Sequence, residues 1–427
     1  MKVLGLIVEY NPFHNGHLYH IQQSRKLSGA DYVICVMSGN FIQRGEPAIV
    51  NKWARAKMAL LSGADLVIEL PTVYAMSSAE FFAFGSVKIL DSIGIVDNIC
   101  FGSESGSIEE LDYLADILHS EPELFKSLLK AQLDKGLSFP SAREKALQSY
   151  IKQTGAFDCN IEASLGSSNN ILGIEYLKAL KRLNSKILPL TIKRTANSYN
   201  TEHITGSISS ATSIRKLISE SPSFAPGNAL EQVLPHPSLS ILKEEFESGR
   251  GPVFSGDFES IIMAAVRKMT AQQLKSLPYI SEGLENRIKS AGSDSGTLDE
   301  LIENISTRRY TRTRIQRSLF SILTGMTAKE FETFNQYGGS QYVRVLGFNK
   351  GGRYLLSQIN KSCTLPVIVK TADFKASCNP LVRSMLELEA LATDTYVLGY
   401  KNPAFRKAGQ EYTQNVVRVD VFHNSNR

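Results

Sequence analysis

The sequence predicts a doubly wound α/β domain with a parallel sheet, followed by a mixed, mainly α region. In the first hundred residues, apolar strand-like runs alternate regularly with helical patterns. These runs are rich in Val, Ile and Leu without polar alternation, which is typical of parallel strands covered by helices on both faces. A chain of 427 residues, 43% hydrophobic and 21% charged, is long enough for about three globular domains. We therefore expect a Rossmann-like domain and a second domain that is mixed but mainly α.

The regular β–α spacing places the elements of the predicted sheet. Strands are expected at residues 3–10, 32–39, 66–71, 98–103 and 187–194, and helices at 17–27, 52–62, 78–93 and 170–183. A mainly helical stretch at about 107–165 interrupts the alternation and is interpreted as an insertion. In such a fold the ligand binds at the carboxyl ends of the strands.

A stretch containing Ser, Pro and Gly at residues 221–227 predicts a boundary. The predicted units are an N-terminal domain of residues 1–222 and a C-terminal domain of residues 228–427. In the second unit we expect helices at 257–289 and 318–336, and strands at 365–369, 395–398 and 416–422.

The cysteines and the apolar runs indicate the cellular compartment in which the protein works. Five cysteines are scattered without a C-x-x-C pair, and Cys35 and Cys100 lie in strand-like apolar runs. Buried, reduced thiols favour a cytoplasmic protein. The longest apolar runs are far shorter than a membrane span, and the first strand follows Met1 and Lys2 directly. We therefore expect neither a membrane segment nor a signal peptide.

The first strand runs into a turn that carries His14, Gly16 and His17 at the start of a predicted helix. Free backbone N–H groups and the helix dipole favour a phosphate at such a helix start. Two imidazoles three residues apart, with a glycine that lets the backbone approach, suit stabilisation of an α-phosphate during nucleotidyl transfer. A single histidine here would often be only a cap, but the pair favours phosphate binding.

Three further positions are candidates at the same edge of the sheet. Gly102, in the run 101–104 that ends the fourth strand, would let the backbone approach a purine or a ribose. Asn169 and Asn170 precede a helix; they are explained by capping alone or by reading an adenine edge. Arg194 ends the next strand and offers a bidentate fork for phosphate.

Two other segments have open roles. Arg215 follows a Ser/Thr-rich helix start and is a candidate for the leaving pyrophosphate. The loop that follows the second strand could close over a substrate and supply Lys52 or Arg55. A solvated helix start explains the latter pair equally well.

The net charge of +5 is unevenly distributed along the chain. Residues 301–360 contain nine Lys or Arg but three acidic residues, and residues 308–317 contain five arginines and one tyrosine. Arginine forks suit RNA phosphates and a tyrosine can stack on an unpaired base, although a charge run is often only a solvated helix face. The shortage of acids favours nucleic acid. The predicted tRNA-binding residues, with an extension into residues 342–353, are Arg308, Arg309, Arg312, Arg314, Arg317, Arg344 and Lys350.

Longer stretches around these motifs resemble the bacterial tRNA(Met) cytidine acetate ligase family. The resemblance rests on residues 5–20, 36–48, 101–104, 169–173 and 344–348, and it spans nearly the whole chain. It implies an HxGH nucleotidyltransferase fold and a ligase that activates acetate with ATP to acetyl-adenylate. It further implies transfer of the acetyl group to the N4 amine of the wobble cytidine in elongator tRNA(Met).

By this resemblance, His14, His17 and Arg194 are catalytic and stabilise charge on the α-phosphate. The choice of Asn169 over Asn170 stays open, and no residue identifies itself as the base for the cytidine amine. No carboxylate cluster marks a metal cage, so we expect Mg²⁺ to arrive with ATP. The implied ATP-binding residues are Ile7, Val8, Glu9, Tyr10, Asn11, Pro12, Phe13, His14, Asn15, Gly16, His17, Leu18, Tyr19, His20, Gly102, Asn169 and Arg194.

Two other functions stay open on the sequence alone. A nucleotidyltransferase that adenylylates a small phosphorylated metabolite would fit the HxGH turn but leaves the C-terminal half and its arginines unexplained. An RNA-binding or assembly factor that uses nucleotide as a switch would keep RNA affinity without acetate-dependent chemistry. The sequence does not determine the oligomeric state.

Overall fold

The computed structural model describes residues 1–137, 139–155, 167–194, 209–220, 224 and 227–420. The end of the predicted helical insertion and most of the predicted boundary at 221–227 lie outside these residues. The division of the chain into units of 1–222 and 228–427 stays a prediction.

Five parallel strands form the centre of the sheet, and all five were predicted. They are β1 (Val3–Val8), β2 (Tyr32–Ser38), β5 (Leu66–Leu70), β6 (Asn98–Ser103) and β7 (Leu188–Lys193). Their order is β5–β2–β1–β6–β7. The order reverses between β1 and β6, and a ligand crevice forms at the carboxyl ends of strands where such a reversal occurs. Two short strands, β3 (Phe41–Ile42) and β4 (Glu46–Pro47), form a hairpin after β2.

Side chains of the central strands alternate between two apolar layers. Val3 points into one layer, and Leu4 and Leu6 into the other, all of them fully buried. Both faces are therefore covered, as the lack of polar alternation predicted. Cys35 and Cys100 are buried and unpaired, as expected.

Helices surround the sheet and form most of the C-terminal half. In the described chain no helix is long and apolar enough to cross a membrane. The α-helices are Asn15–Ser28, Lys52–Leu61, Thr72–Ala75, Ala79–Ser92, Ile108–Ser120, Glu123–Leu133, Phe139–Thr154, Ser168–Arg182, Ala211–Glu220, Ala229–Val233, His236–Glu247, Glu259–Lys268, Ala271–Lys275, Leu284–Asp294, Leu298–Ile305, Arg312–Thr324, Ala328–Gln336, Lys350–Ser362, Pro380–Tyr396 and Gln410–Thr413.

Strands from the C-terminal half extend the same sheet. Strand β8 (Val343–Phe348) lies antiparallel to β5, and β9 (Val367–Ile368) and β10 (Val417–Arg418) pair with β8 in parallel. The sequence predicted strands near β9 and β10 but missed β8. Residues of both predicted units thus share one sheet.

The predicted strand at residues 395–398 is wrong. The helix Pro380–Tyr396 continues into a 3₁₀ turn at Val397–Gly399. Tyr396 is fully buried and packs edge-to-face against Phe41 of β3. Aromatic and β-branched residues favour strands on average, but this packing against the core overrides that preference.

A cluster of five buried charged side chains joins the two halves of the chain. Lys52 Nζ lies 2.6 Å from Glu69, 3.1 Å from Glu389 and 2.7 Å from Glu411. Arg344 Nη1 lies 2.5 Å from Glu69 and 2.6 Å from Glu411. Burial, followed by the neighbouring Glu389 carboxylate, raises the pKa of Glu69. The helix start at residue 52 and the end of β5 are therefore fixed to β8 and to two C-terminal helices.

Replacing Lys52 tests this cluster. We expect Lys52→Met to lower the free energy of unfolding by about 3–5 kcal/mol, because it leaves buried carboxylates without their cation. The measurement is urea denaturation followed by circular dichroism. Lys57→Met is the matched control, since Lys57 lies on the same helix and its exposed side chain is 3.7 Å from Glu244. Equal losses in both variants would contradict the role given to the cluster.

Candidate active site

The turn between β1 and the helix Asn15–Ser28 is capped by its own two histidines. His14 Nδ1 accepts a hydrogen bond from the Gly16 backbone N–H at 3.1 Å, and His17 Nδ1 accepts one from the His14 backbone N–H at 3.3 Å. A ring whose Nδ1 accepts carries its proton on Nε2, so these bonds assign the Nε2–H tautomer to both imidazoles. Neither Nε2 atom has a hydrogen-bond partner among the described residues, so both Nε2–H groups can donate to a bound anion.

The two imidazoles are neutral at physiological pH. Burial, followed by the positive charges of Arg194 and Arg215, lowers the pKa of His14 to about 3. The pKa of His17 is also lowered, first by burial and then by His14. Their rings stack with centroids 3.7 Å apart, a contact that two imidazolium ions would oppose. Burial and Arg194 lower the pKa of His20 to about 4.

Arg55 fixes the ends of β1 and β2 from beneath the site. Its guanidinium is fully buried and donates to the carbonyl oxygens of Glu9 at 2.5 Å and Val50 at 3.2 Å, and to that of Gly39. Arg55 and Lys52 are therefore internal supports in this structure. Neither projects into the crevice as the loop-closure interpretation proposed.

Arg215 and Asn11 hold the histidine turn from its other side. Arg215 Nη1 donates to the Asn11 carbonyl oxygen at 3.0 Å, and the Ile49 N–H donates to Asn11 Oδ1 at 2.7 Å. Arg215 thus lies beside the turn, where the sequence proposed it as a phosphate contact.

The ends of β6 and β7 bring Gly102 and Arg194 together. A Cβ at Gly102 would lie 3.3 Å from Arg194 Cγ, and the Arg194 N–H donates to Ser103 O at 2.9 Å. Any larger residue at position 102 would push the arginine side chain aside. Because Arg194 contributes to the lowered pKa of His14, His17 and His20, its positive charge lies near all three rings.

Glu104 connects this edge to the helix Ser168–Arg182. Its carboxylate accepts from Asn169 Nδ2 at 2.6 Å and from the Asn170 N–H at 3.0 Å. In return, Asn170 Oδ1 accepts from the Glu104 N–H at 2.8 Å. The buried Asn170 side chain is occupied by the loop, whereas Asn169 is half-buried; this favours Asn169 as the residue that faces a ligand. Glu104 belongs to the run 101–104 identified in the sequence, but no role was predicted for it.

The β3–β4 hairpin lies between the turn and the helix Arg312–Thr324. The Gln43 N–H donates to Glu9 Oε1 at 2.8 Å. On the other side, Arg317 Nη1 donates to Gln43 O at 3.4 Å and Gln316 Nε2 donates to Glu46 Oε1 at 3.0 Å. The helix that carries the arginines is therefore joined to the active-site turn through one hairpin.

Acidic residues outside the basic segment pair with most of its arginines. Arg309 and Arg314 lie 3.4 Å and 3.6 Å from Glu282, and Arg312 lies 2.9 Å from Asp299. Counting acids within the segment missed these partners, which reach it from neighbouring elements. The pairs with Arg309 and Arg312 are exposed on both sides, so water and salt screen them. Arg308 is exposed.

The structure corrects the placement of Arg344 and Lys350. Arg344 is 3% exposed and bound to Glu69 and Glu411, so its guanidinium is internal and not part of a surface for tRNA. Lys350 follows β8, whose end pairs with Leu66 at the start of β5. Because β8 is antiparallel, Lys350 lies at the amino edge of the parallel strands, opposite the turn. The predicted surface is wrong for Arg344, whereas Lys350 is exposed but lies on the other edge of the sheet from residues 308–317 and the turn.

Residues 7–20 run from the end of β1 through the histidine turn into the helix Asn15–Ser28. Ile7 and Val8 end β1, Tyr10 and Phe13 pack edge-to-face in the core, and Tyr19 is 37% exposed on the helix. Among the described residues, no group of three His, Cys, Asp or Glu side chains is arranged to hold a metal ion.

Known proteins match this chain over almost its whole length. The HIGH Nucleotidyl Transferase family matches residues 1–411. The tRNA(Met) cytidine acetate ligase of Acetivibrio thermocellus is 61% identical over 417 residues, 98% of this chain and 100% of the relative. That of Caldanaerobacter subterraneus subsp. tengcongensis is 47% identical over 407 residues, 95% of this chain and 98% of the relative.

Two crystal structures of Thermotoga maritima TmcAL share the fold. The form bound with alpha-thio ATP superposes with a TM-score of 0.91 and the apo form with 0.94. Each is 36% identical and covers 99% of this chain and 100% of the solved chain. Fold and turn thus define an α/β nucleotidyltransferase of the HIGH class. Within that class, the chain belongs to the tRNA(Met) cytidine acetate ligase family.

The lowered pKa values predict how stability depends on pH. Unfolded histidines take up protons below their ordinary pKa of 6.5, whereas folded His14 and His20 do so only near 3 and 4. The unfolded state therefore binds more protons between pH 6.5 and 4.5, and stability falls as pH falls. Each group adds a slope of at most about 1.4 kcal/mol per pH unit.

Urea denaturation at pH 6.5, 5.5 and 4.5 measures this effect. We expect the double variant His14→Asn/His20→Asn to lose less stability on acidification than the wild type, since two of the groups responsible are gone. His119→Asn, on the exposed side of another helix, is the control and should keep the wild-type slope. Equal slopes in all three proteins would show that the rings are not held neutral.

Proposed function

We propose that this chain is a ligase that activates acetate with ATP and acetylates the wobble cytidine of elongator tRNA(Met). The observation that carries the proposal is the pair of neutral Nε2–H donors at the turn after β1, beside Arg194. The relatives named tRNA(Met) cytidine acetate ligase supply the substrates. Such an enzyme works in the cytoplasm, where ATP and tRNA meet.

In the first step, an acetate oxygen attacks the α-phosphorus of ATP. The new O–P bond forms as the bond to pyrophosphate breaks, and pyrophosphate leaves with the electron pair. His14 and His17 donate hydrogen bonds to the non-bridging α-phosphate oxygens, and Arg194 adds positive charge there. Among the described residues no side-chain cluster would hold Mg²⁺, so the ion would be carried by the triphosphate, and its charge would stabilise the leaving pyrophosphate. Gly102, which leaves room for the Arg194 side chain, and the amide of Asn169 would accommodate the nucleoside.

In the second step, the N4 amine attacks the acetyl carbonyl and AMP leaves. The wobble base is unpaired in the anticodon loop, so moving it into a pocket costs little. The basic side chains that would contact the tRNA backbone are the exposed Arg308, Arg309 and Arg312, together with the half-buried Arg314. Arg317 is turned towards the hairpin and supports it.

Acetate-dependent exchange of pyrophosphate into ATP tests the first step. We expect the purified protein with Mg²⁺ to catalyse this exchange without tRNA. His14→Asn and His17→Gln should each slow it by about 10²–10³-fold, because each removes one donor to the α-phosphate. Asparagine at position 14 keeps an N-cap, so the helix start is preserved.

The outcomes separate the alternative functions. Exchange that requires a phosphorylated metabolite rather than acetate would identify a small-molecule adenylyltransferase. Nucleotide binding without exchange, in the presence or absence of tRNA, would identify a nucleotide-controlled RNA-binding factor. Either result would overturn the proposal.

Charge reversal tests the tRNA surface. We expect Arg308→Glu/Arg309→Glu/Arg312→Glu to weaken tRNA(Met) binding by about 10–100-fold and to reduce its salt dependence, since phosphate contacts are lost. Filter binding at several salt concentrations measures both, and pyrophosphate exchange should persist. Lys350→Glu changes the charge at the opposite edge of the sheet and should bind tRNA like the wild type. If Lys350→Glu weakens binding and the triple variant does not, the surface lies elsewhere.

A further inference from the structure

Glu9 is the only carboxylate in the segment of residues 7–20. It follows β1 directly and lies next to the turn that carries His14 and His17. Its backbone carbonyl is held by Arg55, so the position of the residue is fixed by a buried cation. The first step gives Glu9 no task, because phosphate and carboxylate repel each other.

Only one of the two carboxylate oxygens of Glu9 accepts a hydrogen bond from a described residue. Oε1 accepts the Gln43 N–H at 2.8 Å, whereas Oε2 has no hydrogen-bond partner among the described residues. The side chain is half-buried, so Oε2 is available to a substrate. A carboxylate oxygen that is free while its partner oxygen is fixed is oriented to accept a proton.

The charged groups around Glu9 come from three other elements. Burial raises the pKa of Glu9, and the positive charges of Arg215, Arg55 and Arg44 oppose that rise. Tyr176, on the helix Ser168–Arg182, also lies close enough for Glu9 to contribute to the raised pKa of its hydroxyl. These neighbours keep Glu9 ionisable, and the raised pKa makes it a stronger base than an exposed carboxylate.

Glu9 also lies between the two substrates of the proposed reaction. On one side, the same segment continues to His14 and His17, where the acetyl-adenylate would form. On the other side, the backbone of Gln43 joins Glu9 to Arg317 and so to the helix proposed to contact tRNA. A wobble base that reaches the acetyl group from this helix passes the hairpin and approaches Glu9.

We propose that Glu9 is the catalytic base that accepts the proton of the cytidine N4 amine during acetyl transfer. This rests on the proposed function. The N4 lone pair attacks the acetyl carbonyl carbon, and the C–N bond forms. The tetrahedral intermediate collapses as the C–O bond to AMP breaks, and AMP leaves with that electron pair. One N4 proton passes to Glu9 Oε2, so a neutral amide remains and the carboxyl later releases its proton to solvent.

The variant Glu9→Gln removes the base and keeps the structural contact. The Gln side-chain oxygen can still accept the Gln43 N–H, so the hairpin stays in place. Glu46→Gln is the matched control. Glu46 lies on the β3–β4 hairpin that contacts Glu9, and its carboxylate accepts a hydrogen bond from Gln316 of the arginine helix. Both variants lose one negative charge in the same region.

Two half-reactions are measured for each protein. Acetate-dependent pyrophosphate exchange, together with acetohydroxamate formed when hydroxylamine traps the adenylate, reports acetyl-adenylate formation. Single-turnover transfer of labelled acetate to a tRNA(Met) transcript, between pH 5 and 9, reports the second step. The readout is the ratio of transfer to adenylate formation.

We expect Glu9→Gln to lower this ratio by about 10²–10³-fold, the contribution of a positioned general base. In the wild type and in Glu46→Gln, the transfer rate should rise with pH until Glu9 is ionised and then level off. In Glu9→Gln the rise should be absent. Glu9→Asp should restore part of the rate and the rise with pH.

Three results would overturn the assignment. An unchanged ratio would show that Glu9 takes no part in transfer. A loss of exchange equal to the loss of transfer would show that Glu9 supports the nucleotide site or the fold. A rise with pH that persists in Glu9→Gln would place the base elsewhere. Failure of the wild type to exchange with acetate is a different result, because it removes the proposed function itself.

Discussion

The buried cluster of Lys52, Glu69, Arg344, Glu389 and Glu411 is the constraint on which the arrangement of this protein depends. It ties the carboxyl end of β5 and the start of a helix at residue 52 to β8 and to two C-terminal helices. Desolvation makes a buried ion cluster costly, so its stabilising effect is smaller than its contacts suggest. Its main effect is on geometry, because each charge is satisfied only when all five elements meet in one register.

The arrangement held by this cluster also positions the active site. The helix held at Lys52 also carries Arg55, whose guanidinium joins the ends of β1 and β2 through their carbonyl oxygens. The turn that carries His14 and His17 also contains Asn11, whose carbonyl oxygen accepts a hydrogen bond from Arg215. Because Arg55 and Arg215 hold the backbone around the turn, the histidine rings have little freedom to move. Fixed positions suit hydrogen-bond donors that stabilise charge developing in a transition state. Neutral rings also avoid electrostatic repulsion from the nearby Arg194 and Arg215.

The hairpin of β3 and β4 connects the active-site turn to the helix Arg312–Thr324. A nucleotidyltransferase turn alone needs only the carboxyl ends of β1 and β6. Here Gln43 contacts Glu9 on one side and Arg317 on the other, and the backbone at Gly45 is pressed against the helix Arg312–Thr324. The hairpin therefore couples the position of Glu9 to that of the arginine helix.

The sequence by itself determined the five central strands and the histidine turn at the end of β1, whereas the strand order that places the crevice between β1 and β6 is visible only in the tertiary structure. Strand periodicity, helix caps and the HxGH spacing are local, so they are visible in short windows. Only the tertiary structure decided what the isolated charges do. Arg344 looked like a surface residue because its partner Glu69 is 275 positions away, and Glu282 and Asp299 lie outside the basic segment that they partly neutralise. Burial and ion pairing depend on which distant elements meet, and no local pattern encodes that.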